Sequence, residues 1–117
     1  MQLRELEEEG VSIIALSGEI DLACSPELRE VLHVHVKAKR AALLLDFGGV
    51  EYVDSSGLAT LVEYVRKVQD FGGRLALAEV SPRVRTIFDL VRLSEIFPIY
   101  ATLAEAKAAL AGPPSAA

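Results

Sequence analysis

Cysteine is almost missing from this sequence. Cys24 stands alone, so neither an intrachain disulfide nor a cysteine-based metal site can form, and the redox compartment is left open with a reducing cytoplasm as the default. Long hydrophobic runs are missing too: none approaches the roughly 18 residues that a membrane span needs. The start "MQLRELEEEG" is acidic and lacks the charged-then-apolar pattern of a secretory signal. The expectation is a soluble, cytoplasmic protein with no membrane insertion. Positive charge is in deficit, with 12 Lys and Arg against 17 Asp and Glu and a net charge of -5. Both signs are spread along the chain, so no basic stripe is available to displace counterions and nucleic acid is not an expected partner. The longest basic cluster, Lys37, Lys39 and Arg40, ends a predicted helix, where the helix dipole favours cations. Neither Gly-x-Gly-x-x-Gly nor Gly-x-x-x-x-Gly-Lys-Ser/Thr occurs, and no His, Cys and carboxylate group has ligand spacing. No cofactor and no metal are expected.

What is present suffices for one domain. The 117 residues leave no room for a second core, and 51% are hydrophobic, enough apolar surface to offset the entropy of ordering the chain. The pattern predicts a hairpin first: Leu3 and Leu6 on one strand, a turn at Glu9 and Gly10, and "VSIIAL" (Val11 to Leu16) on the next. "CSPELREVLHVHVKAKR" predicts helix one, with Ser25 as N-cap, Pro26 at the first helical position, and Leu28, Val31, Leu32 and His35 or Val36 as its apolar face. Ala41 to Phe47, apolar on both parities, predicts a central strand, followed by a turn at Gly48 and Gly49 and a short extended piece, "VEYV". Ser55 to Phe71 predicts helix two, with a stripe of Leu58, Leu61, Val62, Val65 and Val68 and a stop at Gly72. "RLALAEV" predicts another buried strand, Ser81 and Pro82 open a third helix facing inward with Val84, Ile87, Phe88 and Val91, and "IFPIYA" predicts an edge strand. Thr102 and Glu105 have capping-box spacing before a last helix, Leu103 to Ala111, and residues 112–117 are expected to form a disordered tail. Strands alternating with helices imply an α/β domain over residues 1–111 whose mixed sheet is largely parallel.

Chemistry concentrates in "VDSSGLATL", Val53 to Leu61. A serine on a strand-to-helix turn suggests a nucleophile elbow, but Gly-x-Ser-x-Gly is absent: Val53 stands two before Ser55 and Asp54 two before Ser56. His33 and His35 are the only candidate bases, and neither sits in a recognisable constellation with a serine and an acid. Catalysis is therefore not expected. Asp54 or Ser55 serves as the N-cap of helix two, and a hydroxyl at a helix N-terminus can carry a phosphate, since the dipole and free N–H groups favour negative charge there.

Together "SGEIDLACSPELREVL", the block from "LLLDFGGVEYVDSSGL" through "GGRLALAEVSPRVR", and "IFPIYATLAEA" resemble the STAS family, and within it the bacterial anti-sigma factor antagonists. The resemblance covers nearly the whole chain and rests on the ensemble of motifs. It implies a mixed, mostly parallel sheet with about four helices packed mainly on one side. It also implies a regulatory binding module, monomeric or weakly dimeric, whose partner is an anti-sigma factor that is also a serine kinase. In that family the unphosphorylated antagonist captures the anti-sigma factor and frees the sigma factor; phosphorylation of the first serine after the motif aspartate, here Ser55, ends the complex, and a serine phosphatase resets it. By the same resemblance Asp54, Ser55, Ser56 and Gly57 belong to the partner-binding turn. Asp21, in "GEID", matches the partner-facing loop, the alternative being a solvated turn residue. Cys24 departs from the family's small polar or apolar residues and reads as a half-buried filler. The alternative that the resemblance leaves open is a STAS subunit of a stressosome-type scaffold or of a phospholipid ABC transporter, in which the same turn binds a partner without being phosphorylated. The tail of anion transporters is not expected here, since no span is present.

Overall fold

β1 (Gln2–Glu8) and β2 (Val11–Ile20) pair antiparallel. The two residues between them, Glu9 and Gly10, both have positive φ, 53° and 80°, the handedness whose twist matches a tight hairpin. Thereafter strands and helices alternate: α1 (Ser25–Lys37), β3 (Ala42–Val53), α2 (Ser55–Val68), β4 (Arg74–Ala78), α3 (Pro82–Leu90), β5 (Ile99–Tyr100) and α4 (Leu103–Ala111). The sheet order is β1-β2-β3-β4-β5, and every pair after the first is parallel. The computed structural model describes residues 1–111, so the expected tail at 112–117 lies outside the described residues.

The double parity of the central strand decides the layering. Leu43, Leu45 and Phe47 of β3 face one way, onto Leu28 and Leu32 of α1, Leu61, Tyr64, Val65 and Val68 of α2, and Val84 and Phe88 of α3. Ala42 and Leu44 face the other way, with Ala76 and Ala78 of β4, onto Ala106 and Leu110 of α4. Three helices thus cover one face and one helix the other. Phe88 sits between Phe47 and Phe97 at centroid distances of 5.8 and 6.1 Å, within the range where tilted and edge-on aromatic pairs add to plain burial.

Several local expectations change. Gly48 and Gly49 do not form a turn: β3 runs through them to Val53, and "VEYV" is its far end, paired with β2 as far as Ile20 and Val53. Glycine is needed at 49 because β2 and β3 come unusually close where their register shifts; a Cβ there would lie 2.7 Å from Ser17 Cβ. The N-cap of α1 is Cys24, with Ser25 already helical, because the preceding turn is closed by Asp21, whose carbonyl accepts from the amides of both Cys24 and Ser25. His35 takes the buried place on α1 and Val36 the half-buried one; His35 Nε2 lies 2.8 Å from Glu5 Oε1 on β1. The buried face of α2 is rotated from the predicted stripe: Gly57, Thr60 and Tyr64 join Leu61, Val65 and Val68, while Leu58 and Val62 are half-buried. Val91 falls beyond the end of α3 and is exposed. Other signals hold. Gly72 stops the turn after α2 with φ 74°, Ser81 Oγ accepts from Val84 N at the start of α3, and Thr102 Oγ1 accepts from Glu105 N at the start of α4.

Candidate functional site

The carboxyl-terminal edge of the parallel strands is where an open α/β sheet presents its loops for binding. Here the loops after β2 and β3 lie side by side, because the long β3 is paired with β2 up to its last residue. Asp54 N donates to Ile20 O at 3.1 Å, which carries the contact between the two strands into the loops.

Asp54 is the N-cap of α2, in extended conformation. Its Oδ1 accepts from Ser56 N (2.9 Å), Gly57 N (3.1 Å) and Ser56 Oγ (2.6 Å), and its Oδ2 accepts from Leu22 N (3.1 Å) across the cleft between the loops. These donors, the Ser56 hydroxyl first and the Gly57 amide next, hold the carboxyl below its ordinary value of 3.8 against a smaller opposing effect of desolvation. Asp54 is therefore ionised at neutral pH and fully engaged.

The two serines behind it stand in different situations. Ser56 is half-buried, with its hydroxyl on Asp54 and 2.8 Å from Ser25 Oγ. Ser55, the first residue of α2, is exposed, and its hydroxyl has no hydrogen-bond partner among the described residues. An open hydroxyl at the positive end of a helix of 14 residues is placed to receive and hold a phosphate. Among the described residues His35 is engaged with Glu5, and neither His35 nor the exposed His33 hydrogen-bonds to either serine.

Asp21 is more than a solvated turn residue. Its Oδ1 accepts from Ala23 N and Cys24 N, and its carbonyl accepts from Cys24 N, Ser25 N and Ser25 Oγ, so it organises the entire loop before α1. That loop holds the Leu22 side chain 74% exposed. Cys24, half-buried, accepts from Asp21 N at 3.2 Å and donates to Glu19 O at 3.4 Å, so it supports the turn as well as filling space.

Gly57 requires a correction. It is buried, and a Cβ there would lie 2.8 Å from both Ile20 Cγ2 and Val53 Cγ1. Its small size lets α2 approach the ends of β2 and β3. Sequence reasoning missed Ser25 and Leu22. Ser25 in front of a proline reads locally as a cap, and nothing local signals a contact 31 positions away.

The space between α1 and α2 lined by Thr60, Glu63 and Tyr64 is about 10 Å³, the size of one water. Burial pushes the Tyr64 phenol up to about 12. Among the described residues no group of His, Cys, Asp or Glu could hold a metal ion, and no helix is long and apolar enough to cross a membrane.

Comparison with known proteins agrees with this geometry. The sequence pattern of the STAS domain matches residues 4–106. The anti-sigma-B factor antagonist of Bacillus subtilis is 36% identical over 88 residues, 75% of this chain and 80% of that one. The crystal structure of an anti-sigma factor antagonist from Mycobacterium paratuberculosis superposes with a TM-score of 0.87 at 30% identity, covering 95% of this chain and 94% of that one. The Bacillus protein SpoIIAA, solved in its phosphorylated form, shares the fold at a TM-score of 0.73 and 22% identity, over 93% and 99% of the two chains. With its pattern matched from the first strand to the last helix, the chain belongs to the STAS domain family.

Proposed function

We propose that this chain is an anti-sigma factor antagonist: a binding module without turnover of its own, which captures an anti-sigma factor and so frees a sigma factor. The partner is a serine kinase as well, phosphorylation of Ser55 ends the complex, and a serine phosphatase restores it. The observation that carries this reading is the contrast between the serines. Ser55 is open at the N-terminus of α2 while Ser56 is held by Asp54, so a kinase docked on these loops meets one free hydroxyl. Asp54, Ser55 and Ser56 with Asp21 form the partner-facing turn, and Gly57 contributes by seating α2 against the strands. The names of the relatives support the same function, and a cytoplasmic setting is the one such a function requires.

The switch follows from electrostatics. A phosphate adds about -1.5 to -2 charge at neutral pH. The helix terminus stabilises that charge in the free protein, whereas a docked partner must desolvate it. Burying a mispaired charge at an interface costs on the order of 2 to 5 kcal/mol, or roughly 30-fold to several-thousand-fold in affinity. Ser55→Ala should bind the anti-sigma factor permanently and Ser55→Asp poorly. The test incubates each variant with its cognate kinase and ATP, locates the modified residue by mass spectrometry, and measures affinity before and after. Phosphate on Ser56, or a Ser55 phosphoprotein that binds as tightly as the unmodified chain, would sink the mechanism. Capture of a transporter ATPase in place of a kinase would favour the scaffold or transport-subunit role.

A further inference from the structure

We infer that Ser25 is a positioning residue of this switch: its buried hydroxyl closes a ring of hydrogen bonds that makes the loop after β2 move with the cap of α2. The inference rests on the antagonist reading for its purpose, but its geometry stands alone. Leu22 N donates to Asp54 Oδ2, and Ser56 Oγ donates to Asp54 Oδ1. Ser25 Oγ lies 2.8 Å from Ser56 Oγ and 2.8 Å from Asp21 O. Asp21 adjoins Leu22, so the ring returns to its start.

The proton count gives Ser25 its role. Ser56 has one hydroxyl proton, and at 2.6 Å it belongs to the Asp54 carboxylate, the stronger acceptor. Ser56 Oγ therefore faces Ser25 as an acceptor, and the Asp21 carbonyl can only accept. The single proton of Ser25 is shared between these two acceptors, a link that alanine cannot make. Ser25 is 3% exposed, so water does not substitute for it.

A negative charge on Ser55 enters this ring from outside. It sits beside Asp54 and competes for the amides of Ser56 and Gly57, both of which now donate to Asp54 Oδ1. Repulsion and competition loosen the Asp54 cap. Leu22 feels this directly through its own bond to Asp54. Ala23 and Cys24, which bond to Asp21, feel it through Ser56 and Ser25. The modification is thereby read over the whole loop that carries the exposed Leu22, not at one side chain.

The experiment uses the whole chain labelled with ¹⁵N. In the parent protein Ser55→Glu should shift the amides of Leu22, Ala23, Cys24, Ser56 and Gly57. Adding Ser25→Ala should abolish the response at Ala23 and Cys24 and leave it at Leu22, Ser56 and Gly57, with Cys24 amide exchange faster by about fivefold, the worth of one ordinary hydrogen bond. Ser56→Ala, which opens the ring from the other side, should give the same loss, and the two substitutions together should cost less than the sum of the single costs, because the bond between the two hydroxyls is removed by either one. An undiminished response at Ala23 and Cys24 in both variants, or strictly additive effects, would overturn the inference and leave the antagonist reading untouched. Failure of any kinase to modify Ser55 would overturn that reading while the amide response still stood. With the cognate anti-sigma factor, the ratio of affinities before and after phosphorylation should fall about fivefold in Ser25→Ala.

Discussion

Ser55 and Ser56 are neighbours in sequence and opposites in environment, one open and the other held between Asp54 and Ser25. Ser56→Ala should therefore keep the phosphoacceptor at Ser55 while lowering the urea midpoint of unfolding, because two hydrogen bonds of a half-buried hydroxyl are lost. Asp54 carries a pH dependence of known sign. Its folded value lies below the ordinary 3.8, so its stabilising effect is complete above 3.8 and disappears as pH falls through the lower folded value. Asp54→Asn should melt below the parent at neutral pH, and the gap should close as the medium is acidified past that range. A gap that widens on acidification would contradict the assigned hydrogen bonds. The pair Asp-Ser and the following serine were legible as chemistry in the sequence. Which hydroxyl is free was not, since it depends on how Asp54 and, from another helix, Ser25 hold Ser56.

At the scale of elements, several caps and stops whose partner is a few residues away were read correctly. Ser81 before Pro82, Thr102 before Glu105 and Gly72 after α2 are of this kind. Other positions are misread because a distant segment intervenes, and the start of α1 because Asp21, four residues before Ser25, closes the turn and leaves Cys24 as the cap. Gly48 and Gly49 looked like a turn and are strand, because β2 approaches there; Ser25 looked like a cap and instead turns to Asp21 and Ser56. Gly57 is the sharpest case. Gly57→Val should push α2 off Ile20 and Val53, with overpacking costing about 1–3 kcal/mol, and partner binding should fall in step with stability in a chemical-denaturation series. Binding lost at full stability would return Gly57 to the contact surface.

For the whole molecule, the aromatic contacts of Phe47, Phe88 and Phe97 join β3, α3 and the segment before β5. Phe88 is fully buried, and Phe88→Ala should cost about 3–5 kcal/mol. That is a large share of the 5–15 kcal/mol typical of a domain, so urea unfolding should shift markedly with little change in slope. The whole chain also bears on catalysis. Purified protein should show no saturable hydrolysis of ATP, GTP or an activated ester; turnover that vanishes in Ser55→Ala would overturn the binding-module reading.

By itself the sequence determined the alternation of strands and helices, the double-sided central strand and a helix opening at Asp54 or Ser55, because these follow from local periodicity and from side chains that bond within a turn of themselves. Its likeness to the STAS family rested on the same local motifs. Only the tertiary structure decided that β3 runs unbroken to Val53, that Gly57 is an internal spacer, that His35 lies under β1, and that Ser25 joins Asp21 to Ser56. Each of these depends on two segments far apart in the chain being brought within a few ångströms, and the close approach of packed elements leaves no periodic trace in either segment alone.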